Sequence, residues 1–313
     1  MQSFSSMLAE NLASKQITSL AIGKFDGLHL GHKKLLDLLG DRGAVLIIDK
    51  AIKCDNHNGI NNEQNPHIQS DQNPPHQGFL TSLQDRLDRL PNAYVVEFAS
   101  VAQMSGEEFV ATLLESLPSL ETIIVGYDFR FGKDRLYGAD DLRHLCGLRQ
   151  RRWRQAVQVV IVPKVCYGEI PLHASVIKSF VQHGDIAVAN AMLGWHYTIT
   201  GDVIRGQGIA SKELFPTINI RTQGYVLPAN GVYAARVCEK MAISFFGHRV
   251  STDGAYAIES HIIDSEITQV PEQLTIQMYK KIRENRRFDS LQELKAQIEC
   301  DIKQAREILK QRL

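Results

Sequence analysis

Apolar residues in the first half of the chain concentrate in short strand-like runs, Thr18–Ile22, Gly43–Lys50, Tyr94–Phe98, Glu121–Gly126 and Val157–Pro163, of which Gly43–Lys50 is the most continuous. Runs of this length without polar alternation suit strands buried on both faces. Segments of helical spacing separate them, at Lys33–Leu39, at Leu80–Leu90 and after Ser105-Gly-Glu-Glu108. That last stretch has the form of a capping box and opens a helix carrying Phe109, Leu113 and Leu114. Repeated strand–helix alternation predicts a parallel sheet with helices on both faces. Two further helices are predicted from Ser175 and from Asp185, the second stopped by Gly194.

The pattern changes near Tyr197. Short β-rich segments (Tyr197–Ile204, Thr217–Arg221, Val232–Val237, Leu274–Tyr279) are separated by Gly, Asn and Pro turns, which predicts a small antiparallel barrel or sandwich. The chain closes on an amphipathic helix. Ser290-Leu-Gln-Glu293 is its expected capping box, and Leu291, Leu294, Ile298, Ile302, Ala305 and Leu309 form its apolar stripe. This change of texture divides the chain into an expected domain at 1–186 and another at 187–313. A polar insertion at about 51–78, rich in Asn, Gln, His and Pro, interrupts the first. Nothing fixes the geometry of its His57, His67 and His76, so they read as loop residues rather than metal ligands.

A length of 313 residues fits two domains, and a hydrophobic fraction of 44% is enough for two cores. Lys plus Arg and Asp plus Glu both number 35, so no global field exists for wrapping nucleic acid, and no nucleic-acid partner is expected. The five cysteines are scattered without metal-like spacing, as in a reducing cytoplasm. The first residues lack a signal-peptide pattern and no apolar run reaches membrane-spanning length, so a cytoplasmic protein acting on small molecules is expected.

The candidate chemistry concentrates in GKFDGLHLGH, Gly23–His32, between the first strand and the helix after it. A glycine-rich strand-to-helix loop presents backbone N–H groups to an anion and lets the backbone approach it closely. His29 and His32 stand where they would donate to phosphoryl oxygens; the alternative is a tight turn with two half-buried histidines. With Phe25-Asp26-Gly27 directly after a strand, the segment resembles the nucleotidyltransferase signature.

Four segments in order make the chain similar to the bifunctional bacterial riboflavin kinase/FAD synthetase family: GKFDGLHLGH; VGYDFRFGKDR from Val125 to Arg135; Ser175–Gly194 leading into a barrel; and FPTIN followed by LPANGVY. The resemblance implies an α/β nucleotidyltransferase fold, Rossmann-like with a parallel sheet, followed by a small antiparallel β-barrel with a C-terminal helix. It implies that the first domain joins AMP from ATP to FMN, and that the second phosphorylates riboflavin with ATP and Mg²⁺. On this reading Gly23, Phe25, Asp26, Gly27 and Gly31 shape the phosphate loop around His29 and His32. Ser175 and Lys178 occupy the place of the family's I-S-S-T-x-I-R phosphate motif, and Asp128, Phe129 and Arg135 lie on the flavin side. In the second domain the resemblance makes Thr217 and Asn219 metal ligands and Gly201, Gly206 and Gly208 a flap over the phosphates. It makes Glu259 the general base, in combination with His261 and the later Arg283/Phe288 pair, and makes Arg283 a flavin-binding residue.

The chain also departs from the family pattern. His173-Ala174 replaces two serines, Lys178 replaces an arginine, and the Phe-x-Pro-His-Pro stretch after the second strand is missing. Ser211 and Leu214 replace Arg and Gly, the G-x-R-P-T loop is reduced to Ser251–Ala257, and D-L-Y-G becomes Ser265–Val270. Two alternatives therefore stand beside the bifunctional reading: an adenylyltransferase with a weak or inactive kinase, and a non-catalytic flavin- or nucleotide-binding regulator. Retention of His29, His32, Asp128, Thr217, Asn219 and Glu259 counts against the regulator. A cytidylyltransferase or pantetheine-phosphate adenylyltransferase would share the histidine motif but not a barrel bearing P-T-x-N.

Overall fold

A computed structural model describes residues 4–11, 16–49, 78–90, 92–153, 156–204, 215–250, 254–264 and 271–310. The chain forms two compact units, residues 1–61 with 83–172 and residues 62–82 with 173–313. All of the 51–78 insertion except Gly78 lies outside the described residues.

The first unit runs α1 (Phe4–Asn11), β1 (Ser19–Gly23), α2 (Leu30–Leu36), β2 (Gly43–Asp49), α3 (Leu83–Arg89), β3 (Ala93–Glu97), α4 (Phe98–Val101), α5 (Gly106–Ser116) and β4 (Thr122–Gly126). A hairpin of β5 (Arg130–Phe131) and β6 (Tyr137–Gly138) follows, then α6 (Ala139–Trp153), β7 (Gln158–Val162) and a second hairpin, β8 (Cys166–Tyr167) with β9 (Ile170–Pro171). The five long strands pair in parallel in the order β3-β2-β1-β4-β7, as their apolar runs predict. Successive side chains of a strand point to opposite faces. Leu20, Ile22, Ala44, Leu46, Ile123 and Val125 accordingly pack with α1, α5 and α6, while Ala21, Val45, Ile47 and Ile124 form the other core with Phe25 and Leu35. Helix α1 lacks a predicted counterpart; its Phe4 stacks on Phe109 with ring centroids 5.3 Å apart. Both arms of the Ser105/Glu108 capping box are present.

The strand order has a functional consequence. From β1 the chain builds outward to β2 and β3, then returns to the other side of β1 for β4. In open α/β sheets ligands bind at such a switch point, beyond the carboxyl ends of the strands. The loops there are Lys24–His29 after β1 and Tyr127–Arg135 after β4.

The second unit contains α7 (Ala174–His183), α8 (Ile186–Leu193), β10 (Thr198–Ile204), β11 (Ile218–Arg221), β12 (Gly231–Val237), β13 (Lys240–His248), β14 (Tyr256–Ile262), β15 (Gln273–Glu284) and α9 (Leu291–Lys310). Gly194 ends α8 in the left-handed region at φ 79°, which accounts for the predicted stop. The strands close an antiparallel barrel in the order β10-β11-β14-β13-β12-β15, which decides between barrel and sandwich. Ala305 and Leu309 of α9, with Ile298 and Ile302, cover Val232, Ala234 and Ile243. The predicted stripe ends short of its first residue, because Leu291 is 53% exposed. The predicted cap is half kept: Ser290 Oγ accepts from the Glu293 N–H, whereas the Glu293 carboxylate accepts from the Asp289 N–H.

Candidate active sites

The loop after β1 is built by backbone conformations that few sequences tolerate. Phe25 and Leu28 have positive φ (54° and 41°), as does Gly27 (84°). Phe25 is fully buried, which anchors the turn in the core. Gly23 ends β1 against the Phe25 ring, where a Cβ would lie 3.2 Å from it. Asp26 is buried within the same turn. The chain then enters α2 through His29, whose Nδ1 accepts the His32 N–H at 3.3 Å. Gly31 makes this cap possible, since a Cβ there would lie 2.9 Å from His29 Nδ1.

His29 and His32 stack with ring centroids 3.8 Å apart, and the Phe25 ring lies 5.2 Å from His32. Burial, then the neighbouring His29 and Arg86, pull the His32 pKa well below its usual value of 6.5. His32 is therefore a neutral imidazole at physiological pH. Its Nδ1 is buried and has no hydrogen-bond partner among the described residues. A buried polar atom without a partner is uncommon and marks a position that a ligand can satisfy.

Arg86 escapes sequence reading. It is fully buried, donates from Nη1 to the Lys24 carbonyl oxygen at 2.7 Å, and pairs through Nη2 with Asp49. Its only trace in the sequence is an arginine on the apolar face of a helix, opposite an aspartate that ends an apolar strand. Such long-range pairs leave no spacing signal.

On the β4 side, Phe129 N–H closes a turn onto the Gly126 carbonyl at 3.0 Å, leaving Asp128 exposed beside it. Phe129 is half-buried and stacks on Phe131, with centroids 5.6 Å apart. Arg135 is exposed at the end of a single 3-10 turn, at φ 58°. Asp128 thus follows the carboxyl end of β4, Arg135 lies between β5 and β6, and the Phe129 ring belongs to the packed aromatic cluster. Ser175 and Lys178 lie on α7 in the second unit: Ser175 is exposed, and buried Lys178 donates to the Gly78 carbonyl at 2.6 Å.

In the barrel, β11 pairs with β14 so that Asn219 sits directly opposite Glu259. Directly opposed residues project to the same face with Cβ atoms about 5 Å apart. Thr217 lies two residues before Asn219, immediately ahead of the first residue of β11. Glu259 keeps 18% of its side chain exposed, and Arg249 Nη1 donates to its Oε1 at 3.4 Å. The sequence reading missed Arg249 by starting the G-x-R-P-T equivalent at Ser251. Gly247-His248-Arg249 retains the first three positions, at the end of β13.

Gly201 is not part of a flap. It lies buried within β10, where a Cβ would meet the Arg221 carbonyl oxygen at 2.6 Å, so it is a close-packing glycine of the barrel wall. Gly206, Gly208, Ser211, Leu214 and Ser265–Val270 lie outside the described residues. Arg283 donates from Nε to both Asp301 oxygens, at 3.0 and 2.9 Å, and its guanidinium lies 5.4 Å from the Phe288 ring centroid. Among the described residues no cluster of three or more His, Cys, Asp or Glu is arranged to hold a metal, and no helix is long and apolar enough to cross a membrane.

Comparison with known proteins finds a family model for each half of the chain. The family model for FAD synthetase matches residues 12–175, and that for riboflavin kinase matches residues 193–309. The bifunctional riboflavin kinase/FMN adenylyltransferase of Escherichia coli is 28% identical over 300 residues, spanning 92% of this chain and 91% of its own. The protein of the same name from Bacillus subtilis is 27% identical, over 91% and 90%. A crystal structure titled as a macrolide-efflux protein from Streptococcus pneumoniae covers 93% of this chain and 94% of its own, with a TM-score of 0.73 at 24% identity, a likeness of fold. The loop after β1, the barrel face with Asn219 opposite Glu259, and two family models in tandem lead to one conclusion: the chain belongs to the family of bifunctional riboflavin kinase/FAD synthetases.

Proposed function

We infer that the chain makes FMN from riboflavin and FAD from FMN, at two separate sites. The observation that carries the second activity is the buried, neutral His32 with an unsatisfied Nδ1, stacked on the capping His29 at the sheet's switch point. In the adenylyl transfer an FMN phosphate oxygen bonds to the α-phosphorus of ATP as the bond to pyrophosphate breaks. No covalent enzyme intermediate is needed, so the protein contributes position and charge stabilisation. A neutral imidazole donates a hydrogen bond to a phosphoryl oxygen without the cost of burying a cation. His32 and His29 fill that role for the triphosphate, within the loop of Gly23, Phe25, Asp26, Gly27 and Gly31. Asp128 and Arg135 bind the flavin nucleotide, and Phe129 holds their loop. Ser175 and Lys178 are assigned to phosphate binding by resemblance.

In the barrel the riboflavin 5′-hydroxyl bonds to the γ-phosphorus of ATP while ADP leaves. Glu259 takes the hydroxyl proton, and Arg249 orients its carboxylate. Thr217 and Asn219 offer a hydroxyl and an amide oxygen, a hard donor set that fits Mg²⁺. When bound, that ion neutralises phosphate charge. Arg283 orders the adjacent flavin side through Asp301 and Phe288. Among the described residues Cys166, Cys238 and Cys300 form no disulfide, which fits a cytoplasmic setting.

Crossed variants test the assignment. His32→Ala should lower FAD formation from FMN and ATP by about a hundredfold to a thousandfold, with riboflavin phosphorylation intact. Glu259→Gln should do the reverse, by about a hundredfold to ten-thousandfold. Loss of both activities in either variant, or of neither, contradicts the two-site reading.

A further inference from the structure

Arg86 and Asp49 form a buried ion pair with side chains 0% and 1% exposed, an arrangement that folding alone does not favour. Replacing such a pair by apolar residues is often neutral or stabilising, so its presence calls for another reason. The geometry supplies one. Gly23 at the end of β1 pairs with Ile47 of β2, which places the Lys24 carbonyl and the Asp49 carboxylate at neighbouring strand ends. Arg86, arriving from α3, spans them: Nη1 holds the Lys24 carbonyl at 2.7 Å and Nη2 holds Asp49. Lys24 is the residue immediately before Phe25, Asp26 and Gly27.

We propose that Arg86 is the positioning residue of the adenylyltransferase loop. It ties the first residue of that loop to the end of β2 and so fixes the turn that leads to His29 and His32. Asp49 orients the guanidinium, as an outer carboxylate orients a metal-binding histidine. The inference rests on the reading of Gly23–His32 as the triphosphate loop. Two groups face His32 electrostatically, His29 from the start of its own helix and Arg86 from α3, and both favour its neutral form. Arg86 thus acts on the loop twice, through its backbone and through the protonation state of its histidine.

The test uses the full chain with two substitutions chosen to fold. In Arg86→Met with Asp49→Leu, both charges go and the volume is kept. In Arg86→Lys, the charge stays but the fork that reaches two partners is lost. Three quantities are measured: kcat and KM for ATP in FAD formation, riboflavin phosphorylation as a control on the same chain, and the His32 titration by nitrogen-15 NMR. The double variant should lose about tenfold to a hundredfold in FAD formation, with the kinase unchanged and the His32 midpoint shifted upward. Arg86→Lys should show a smaller loss and a parental titration. Parental FAD formation or a parental His32 titration in the double variant, with the kinase intact, overturns the proposal. If the double variant loses the kinase too, Arg86→Lys decides: parental kcat and KM for ATP overturn the proposal. A parent that phosphorylates riboflavin but forms no FAD would instead overturn the reading of the loop, leaving the shift in His32 titration to judge Arg86.

Discussion

Asp301→Ala should destabilise the barrel unit by about 3 kcal/mol. Asp301 sits on α9 with its side chain 1% exposed and faces Arg283, which is 19% exposed. It accepts from Arg283 Nε and Nη2, and from Gln297 Nε2 at 2.8 Å. Removing one member of a buried pair costs about 3–5 kcal/mol, because the other charge stays in place uncompensated. Arg283 retains some contact with water, which puts the cost at the lower end. For a unit of this size that corresponds to a fall of about 6–12 °C in Tm. Loss of riboflavin phosphorylation on heating, taken relative to each variant's own unheated rate, reports this unit, and FAD formation from FMN reports the other. Arg283→Met combined with Asp301→Leu should recover most of the loss. The reasoning is refuted if Asp301→Ala melts within about 2 °C of the parent, or if the double variant melts below the single one.

Gly31→Ala should push His29 off its cap and lower FAD formation at least tenfold with the kinase intact, read by the two product assays; equal FAD formation would mean the histidine stack tolerates the added methyl. His32 also makes stability depend on pH. Its folded pKa lies below the unfolded value of 6.5, so the unfolded chain binds the extra proton and stability falls as pH drops below about 6.5. The slope reaches about 1.4 kcal/mol per pH unit; urea midpoints across pH should show it in the parent and not in His32→Asn, and identical slopes would contradict it. A fragment of residues 173–313 should be more stable than one of residues 187–313, because α7 buries Ile177 and Val181, worth about 1.5–3 kcal/mol each. Equal urea midpoints would return the boundary to residue 187.

The parts of the fold legible in the sequence are those whose signal is local. The Ser105/Glu108 box, the Gly194 stop and the apolar strand runs depend on residues a few positions apart, and each lies within about a residue of where the pattern places it. Strand β13 escaped because both its faces are covered. Ala242, Ser244 and Phe246 are buried toward the barrel interior, while Ile243 and Phe245 pack in the cluster with α9, which hides the period of two. The same divide runs through the sites. Glycines and histidines in one short loop announce themselves, and Asn219 and Glu259 stand on the predicted barrel. Arg86 and Arg249 act through partners distant in sequence, Asp49 and Glu259, so only the folded chain pairs them. Gly201 was misread because a glycine needed for close strand approach looks, in sequence, like one needed for mobility.

The most direct measurement of the central claim is incubation of the whole chain with riboflavin, ATP and Mg²⁺, followed by separation of the flavins over time. FMN should appear first and FAD after it, with FAD forming at once when FMN replaces riboflavin. FMN that never becomes FAD would contradict the role given to the His29–His32 loop, and FAD formed from added FMN with riboflavin untouched would contradict the role given to Glu259.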